Sequence, residues 1–229
     1  VKADETPVVT IDGPGGSGKG TVAVQLAQRL GWHLLDSGAI YRLLALAALE
    51  EGVSPDDEPG LVALAGRVSM AFNPGEAGVS ALLDGRPVDE ALRSEACGDA
   101  ASRLAGLSGV RQALLARQRA FRRPPGLIAD GRDMGTVVFP EAVLKVFLTA
   151  SAEERARRRY NQLKEKGLDA NLARLSREIA ERDRRDAGRE VSPLVPASDA
   201  VVVDSTKIPA DRVTERIFSL LDARMPGLE

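Results

Sequence analysis

Gly13-Pro-Gly-Gly-Ser-Gly-Lys-Gly-Thr21 is the stretch that decides how this chain folds. Before it runs Val8-Val-Thr-Ile-Asp12, short, β-branched and apolar; after it runs Val22-Ala-Val-Gln-Leu-Ala-Gln-Arg-Leu30, where apolar residues return at helical spacing. The context is therefore strand, glycine-rich loop, helix. Glycines at 13, 15, 16 and 18 let the backbone turn tightly and aim successive N–H groups inward, and the helix N-terminus adds the positive end of its dipole. Such a loop cradles an anion. Lys19 supplies an ammonium able to reach the outer phosphates of a nucleotide, and a hydroxyl behind it can serve a magnesium shell. The usual pattern places that hydroxyl directly after the lysine; here Gly20 intervenes and the hydroxyl is Thr21.

At 229 residues, with a formal net charge of −2, the chain is long enough for one α/β domain with subdomains hung on it, and its charge argues against broad nucleic-acid or membrane binding. The single cysteine, Cys97, excludes an internal disulfide and a cysteine-based metal site, and is expected to be buried and inert. No apolar run approaches the roughly 20 residues of a membrane span, and no signal-like apolar stretch opens the chain. The expectation is a cytoplasmic protein, a monomer, with Val1 to Thr6 frayed.

Trp32-His-Leu-Leu-Asp36 reads as a second buried strand, with His33 a packed core side chain. A long helix follows to about Glu50, with Ser37 as its N-cap. Polar groups at the C-terminal end of a parallel strand lie where α/β sheets bind ligands, which makes Asp36, Ser37, Tyr41 and Arg42 substrate candidates, although Ser37 could serve only as a cap. Between Gly52 and Gly106 the pattern changes. A helix over about 60–68 is followed by three short strands near 70–73, 79–84 and 86–88, broken at Pro74-Gly75 and Asp84-Gly85, which predicts a small antiparallel sheet at about 68–89. Helices over 93–104 and 108–122 come next.

Leu127-Ile-Ala-Asp130 is a third buried strand ending in a carboxylate, followed by Gly131-Arg-Asp-Met-Gly135. Asp130 stands where a carboxylate can organise magnesium and its waters, or it can position an arginine. Arg132 and Asp133, in a glycine-flanked loop at a strand's end, offer little to a core and read as functional. Val143 to Leu148 is the next strand. Ser151-Ala-Glu-Glu154 is a capping box that starts a helix on which Arg155, Arg158 and Arg159 share a face. Three like charges there suggest a lid that closes on phosphate; the alternative is a solvated face paired to Glu153, Glu154 and Glu165. A helix over 171–187 puts Arg182 and Asp186 one turn apart, able to read the polar edge of a base, with Arg189 just beyond. The last strand is 200–204, with Ser205-Thr206 at its tip, and 209–223 is the closing helix.

Five blocks together resemble the bacterial long-form cytidylate kinases: Ile11-Asp-Gly-Pro with Gly18-Lys-Gly-Thr, Trp32 to Arg42, Leu127 to Pro140, Glu181-Arg-Asp-Arg-Arg-Asp186, and Pro193-Leu-Val-Pro with Asp204-Ser-Thr. The Lys-Gly-Thr spacing is itself similar to that of nucleoside monophosphate kinases. The resemblance implies a P-loop kinase: a five-stranded parallel sheet flanked by helices, one domain over 1–229, an inserted monophosphate-binding subdomain over 37–107, and a short helical lid over 151–169. It implies transfer of the γ-phosphoryl group of ATP to CMP or dCMP, with another monophosphate such as UMP as the alternative. ATP would lie against Gly13, Pro14, Gly15, Gly16, Ser17, Gly18, Lys19, Gly20 and Thr21, with Ser205 and Thr206 near adenine. Arg111, Arg132 and Arg189 would grip the acceptor phosphate, and Ser102, Arg182 and Asp186 would read cytosine. Ser37, Tyr41 and Asp133 would lie near the ribose and its phosphate. Lys19, Arg132, Arg155, Arg158 and Arg159 would stabilise the transferring group, with Mg2+ served by Thr21 and Asp130, directly or through water.

Overall fold

The computed structural model describes residues 6–75, 78–92, 94–165, 167 and 169–227. In chain order they form β1 (Val8–Asp12), α1 (Lys19–Leu30), β2 (His33–Asp36), α2 (Ser37–Glu51), α3 (Glu58–Arg67), β3 (Met70–Gly75), β4 (Gly78–Leu83), β5 (Arg86–Pro87) and α4 (Asp89–Leu92). Then follow α5 (Glu95–Leu104), α6 (Ser108–Arg119), β6 (Leu127–Gly131), a π-helical turn (Met134–Val138), β7 (Leu144–Thr149), α7 (Ala152–Glu165), α8 (Leu172–Ala187), β8 (Val201–Asp204) and α9 (Ala210–Asp222). The chain divides into two units, one of residues 1–35 with 120–229 and one of residues 36–119. The second unit runs from the end of β2 through α6.

The first unit is built on a parallel sheet of order β2-β6-β1-β7-β8. β1 lies in its middle, parallel to β6 and β7, and all five of its residues are buried, as are those of β6. That is the continuous apolar pattern of a strand covered on both faces. α1 buries Val22, Ala23, Leu26 and Ala27 against this sheet's core, where Ile11, Ile128, Val146, Leu148 and Val203 meet Ile217 and Leu221 of α9. Each such aliphatic side chain contributes about 1.5–3 kcal/mol by leaving water. Because the strands are parallel, the segments after β1, β6, β7 and β8 all emerge at one end of the sheet. That end is where open α/β sheets take their ligands.

Two expectations for this unit need correction. β2 is an edge strand and not a wholly buried one: His33 is exposed, with its Nε2 3.0 Å from the Pro124 carbonyl oxygen, and only Leu35 of the four residues is buried. An edge strand has one neighbour to cover it, so an alternate side chain can face water. Thr6 is buried and its carbonyl oxygen accepts a 2.8 Å bond from Arg122 Nε, so it is not frayed; residues 1–5 lie outside the described residues.

In the second unit α2 is apolar on almost every side, burying Ile40, Leu43, Leu44, Ala45, Leu46, Ala47 and Ala48, as a central helix must. Its cap is Asp36, whose Oδ1 accepts the Ala39 N–H at 3.0 Å; Ser37, expected as the cap, is the first residue of the helix. β3, β4 and β5 form the small antiparallel sheet, with Met70 opposite Leu83 and Phe72 opposite Ala81. Asp84 and Gly85, both with positive φ, make its two-residue turn. Pro74 and Gly75, expected as the other turn, instead continue β3. The helix expected from Arg93 begins at Glu95 after a Ser94 cap and is preceded by the separate α4; Arg93 lies outside the described residues. Cys97 is buried, and its thiol donates to the Arg42 carbonyl oxygen at 3.3 Å.

Candidate active site

The loop from Gly13 to Gly18 joins β1 to α1 and is fastened from several sides. A methyl group on Gly13 would sit 2.0 Å from the Leu148 carbonyl oxygen, so no other residue lets the chain leave β1 so close to β7. Gly18 caps α1 in the left-handed region, φ 92°, which a side chain would strain. Two carbonyl oxygens of the loop, those of Gly15 and Ser17, are taken up by side chains. Arg155 Nη1 donates to Gly15 O at 3.2 Å, and Ser17 O accepts both Arg158 Nη1 at 3.2 Å and Ser205 Oγ at 2.8 Å. A glycine-rich loop running into a helix N-terminus, as this one does, is suited to receive an anion.

Lys19, the first residue of α1, places Nζ 3.5 Å from Asp130 Oδ1 at the end of β6. Asp130 Oδ2 lies beside Gly20, 3.3 Å from where a Cβ would stand, and Thr21 is exposed on the next turn. An ammonium and a carboxylate thus stand together where the loop enters α1.

Two neighbouring helices carry the arginines. On α7, Ser151 Oγ accepts the Glu154 N–H at 3.2 Å, which is half of the expected capping box. The other half does not form: Ser151 N–H donates to Thr206 Oγ1, and the Glu154 carboxylate holds Arg157 and Arg158. Arg155 is buried, its Nε on Ala150 O at 3.0 Å and its two terminal nitrogens on the Asp183 carboxylate of α8. Arg158 also reaches Ser205 O and Oγ. Arg159 is half-buried on α7, and no hydrogen bond among the described residues brings it to the loop. Of the three arginines expected on one face of α7, Arg155 and Arg158 bind loop carbonyl oxygens, and Arg158 pairs with Glu154 as well.

Beyond β6, Arg132 Nε binds Asp186 Oδ2 at 2.9 Å, and Arg189 Nη2 binds Asp186 Oδ1 at 2.5 Å. A methyl on Gly15 would lie 3.6 Å from Arg132 Nη2 and 4.0 Å from Arg182 Nη1, so both guanidinium groups overhang the phosphate loop. Burial pushes the Asp186 carboxyl up, but the charges of Arg132, Arg189 and Arg182 outweigh it and hold it below the usual range. Asp133 is buried in the same loop. Ser205 and Thr206 spend their hydroxyls on structure: Ser205 Oγ on Ser17 O and Thr149 O, Thr206 Oγ1 on Asp204.

The remaining candidates belong to the second unit. Arg111 on α6 is buried, donates to Ala105 O at 2.9 Å and lies over the Tyr41 ring at 5.6 Å. Ser102 and Ser37 are buried. Arg42 binds the Leu92 carbonyl oxygen and packs on Gly98, which ties α2 to α4 and α5, while Asp36 is occupied as a cap.

A family model described as Cytidylate kinase matches residues 9–223. A cytidylate kinase of Nitrosococcus oceani is 56% identical over 222 residues, 96% of this chain and 98% of that protein. One of Methylococcus capsulatus is 57% identical over 220 residues (96% and 99%), and one of Shewanella loihica 55% over 227 (99% and 99%). The chain belongs to the cytidylate kinase family.

Two carboxylates of this cytidylate kinase family member escaped the sequence reading. Asp183 pins Arg155 to the phosphate loop, and Asp12 accepts the Met134 and Gly135 N–H groups at 2.8 Å each. A signal existed for both. Asp183 stands one turn before Asp186 on the same face of α8, and Asp12 is a charged residue closing an otherwise apolar central strand.

Proposed function

We propose that this protein transfers the γ-phosphoryl group of ATP to CMP or dCMP, giving ADP and CDP or dCDP. The observation that carries the reading is the gathering of guanidinium groups on the phosphate loop: Arg155 and Arg158 on its carbonyls, and Arg132 and Arg182 overhanging Gly15. Such a charge density suits two phosphorylated substrates brought end to end. Planar guanidinium groups bind phosphate oxygens in pairs, and they keep their charge at any working pH.

Gly13 to Thr21 hold the ATP phosphates, with Lys19 neutralising the outer ones. Ser205 and Thr206 serve the ATP side by fixing this loop and the start of α7. Mg2+ favours oxygen ligands and keeps several of its waters, and the Asp130 carboxylate beside Lys19 and the hydroxyl of Thr21 are donors of that chemistry that would hold it. When bound with ATP, the metal supplies charge neutralisation across the phosphates.

The attacking atom is an already ionised phosphate oxygen of the acceptor, so no strong base is required. Alignment and charge stabilisation remain for the protein. Arg132 and Arg189, fixed as a pair by Asp186, grip the acceptor phosphate. Asp186 accepts one arginine bond at each oxygen and keeps further lone pairs, so it can still take the amino group of cytosine. Arg182 completes the reading of the base, and Asp133 serves the ribose and phosphate. Arg155, Arg158 and Arg159 stabilise the transferring group, with 151–169 acting as the lid that excludes water. UMP presents a carbonyl where cytosine presents an amino group, and a site built around that donor rejects it.

Initial rates with CMP, dCMP, UMP and AMP at fixed Mg-ATP test the reading. CMP and dCMP are expected to lead by a wide margin; a larger kcat/KM for UMP or AMP would overturn the assignment of the acceptor.

A further inference from the structure

Asp12 takes no part in the chemistry described above, yet its carboxylate is 5% exposed at the tip of β1, one residue before the phosphate loop. Its oxygens accept separate backbone bonds, Oδ1 from Met134 N–H and Oδ2 from Gly135 N–H, each 2.8 Å. These donors stand at the leading end of the π-helical turn, whose ladder runs from Val137 and Val138 N–H to Asp133 O and from Phe139 N–H to Met134 O. Leading amides of a helical turn need an outside acceptor, ordinarily the side chain of the capping residue. Asp133 occupies that position and makes no side-chain cap bond. Asp12 does so from the adjoining strand.

The packing leaves the turn little room to shift. A methyl on Gly135 would stand 2.8 Å from Thr10 Oγ1 and 3.2 Å from the Lys145 side chain. On the other side of Arg132, Gly131 is paired in register with Asp12 in the sheet. The segment carrying Arg132 and Asp133 is thus fastened at both ends to one residue, and that residue leads directly into Gly13.

We propose that Asp12 is a positioning residue for the acceptor side of the reaction: through Met134 and Gly135 it sets Arg132 and Asp133 relative to the phosphate loop. The identity of the acceptor rests on the cytidylate kinase reading; the tie itself does not. Asn at this position keeps the shape but offers one acceptor oxygen, and its amide would confront the other N–H.

The test compares wild type, Asp12→Asn, Arg132→Ala and the double variant at pH 8.5, where the Asp12 carboxyl is ionised, by initial rates in CMP at saturating Mg-ATP, with ATP affinity measured separately without CMP and amide exchange followed over 131–138. Asp12→Asn is expected to lower kcat/KM for CMP by about tenfold, the scale of one hydrogen bond to a charged group, with ATP affinity within about twofold of wild type. The Met134 and Gly135 amides should exchange faster, and the double variant should lose little beyond Arg132→Ala, as coupled residues do. Losses that multiply in the double variant, or weakened ATP binding with CMP kinetics unchanged, would overturn the proposal. If wild type does not phosphorylate CMP, the acceptor reading fails, and the tie is judged by exchange alone: unchanged protection in Asp12→Asn sinks it. If Asp12→Asn does not fold, Asp12→Glu, which displaces both acceptors by a methylene, takes its place, and wild-type CMP kinetics in that variant overturn the proposal.

Discussion

At the residue scale, the proposed chemistry centres on Lys19 and the carboxylate beside it. Its ammonium lies 3.5 Å from Asp130 Oδ1, an ion pair that sets it at the start of α1 beside the loop. Lys19→Ala should lower kcat by about 100- to 1000-fold, the range for removing one preorganised charge-stabilising donor; near-normal turnover in a coupled assay would remove Lys19 from the mechanism. Two aspartates titrate in opposite senses. Burial pushes Asp12 up to about 7, against the pull of the Gly135 and Met134 N–H groups and with the repulsion of Asp133 and Asp130. A carboxyl raised on folding binds its proton more tightly in the folded state. Its stabilisation is full below its ordinary value of 3.8 and is lost as pH rises through about 7. Urea unfolding between pH 5 and 8.5 should therefore show a decline with pH that Asp12→Asn removes; an unchanged slope in the variant would assign the decline to another group. Asp186, held low by its three arginines, has the reverse sign: its stabilisation is present above the ordinary carboxylate range and is lost as pH falls through its lowered value.

At the scale of elements, α7 and α8 act as a bracket on the loop. Arg155 is 5% exposed and bridges Ala150, Gly15 and Asp183, whereas Arg157, 67% exposed, pairs with Glu154 from the solvent side. These pairs differ greatly in consequence. Asp183→Ala strands a buried guanidinium and should destabilise the protein by about 3 kcal/mol, the low end for breaking a buried pair because Asp183 itself is partly open. Glu154→Gln weakens two partly solvated pairs and should cost less than about 1 kcal/mol by the same denaturation measurement. Helix periodicity showed that Arg155 and Arg158 share a face, but not that α8 would supply the carboxylate opposite. The capping box failed in part for a similar reason: Glu154 lies within reach of two arginines, and a charged partner outcompetes a neutral N–H.

For the whole molecule, substrates that bind only the folded state should raise its stability by mass action. ATP with magnesium at about 100 times its dissociation constant is expected to add about 2.7 kcal/mol, read as a rise in melting temperature that Lys19→Ala diminishes. A melting temperature indifferent to ATP in wild type would contradict the phosphate loop's role.

Much of the molecule was legible before any coordinate. Runs such as Val8 to Asp12 and Leu127 to Asp130 betray buried parallel strands, because burial on both faces demands uninterrupted apolar residues. Asp84-Gly85 betrays its turn, because few dipeptides tolerate two positive φ values. The misreadings cluster where partners come from elsewhere in the chain: His33 outward on an edge strand, Asp36 in place of Ser37 as a cap, and Asp12 capping a turn 122 residues away. The sequence by itself determined the phosphate loop, the parallel core and the stock of arginines around it, since each depends on local pattern and residue type. Only the tertiary structure decided which carboxylate holds which arginine, and that Asp12 joins the start of the phosphate loop to the segment bearing Arg132. Those pairings depend on which strands and helices become neighbours, and local periodicity does not encode that.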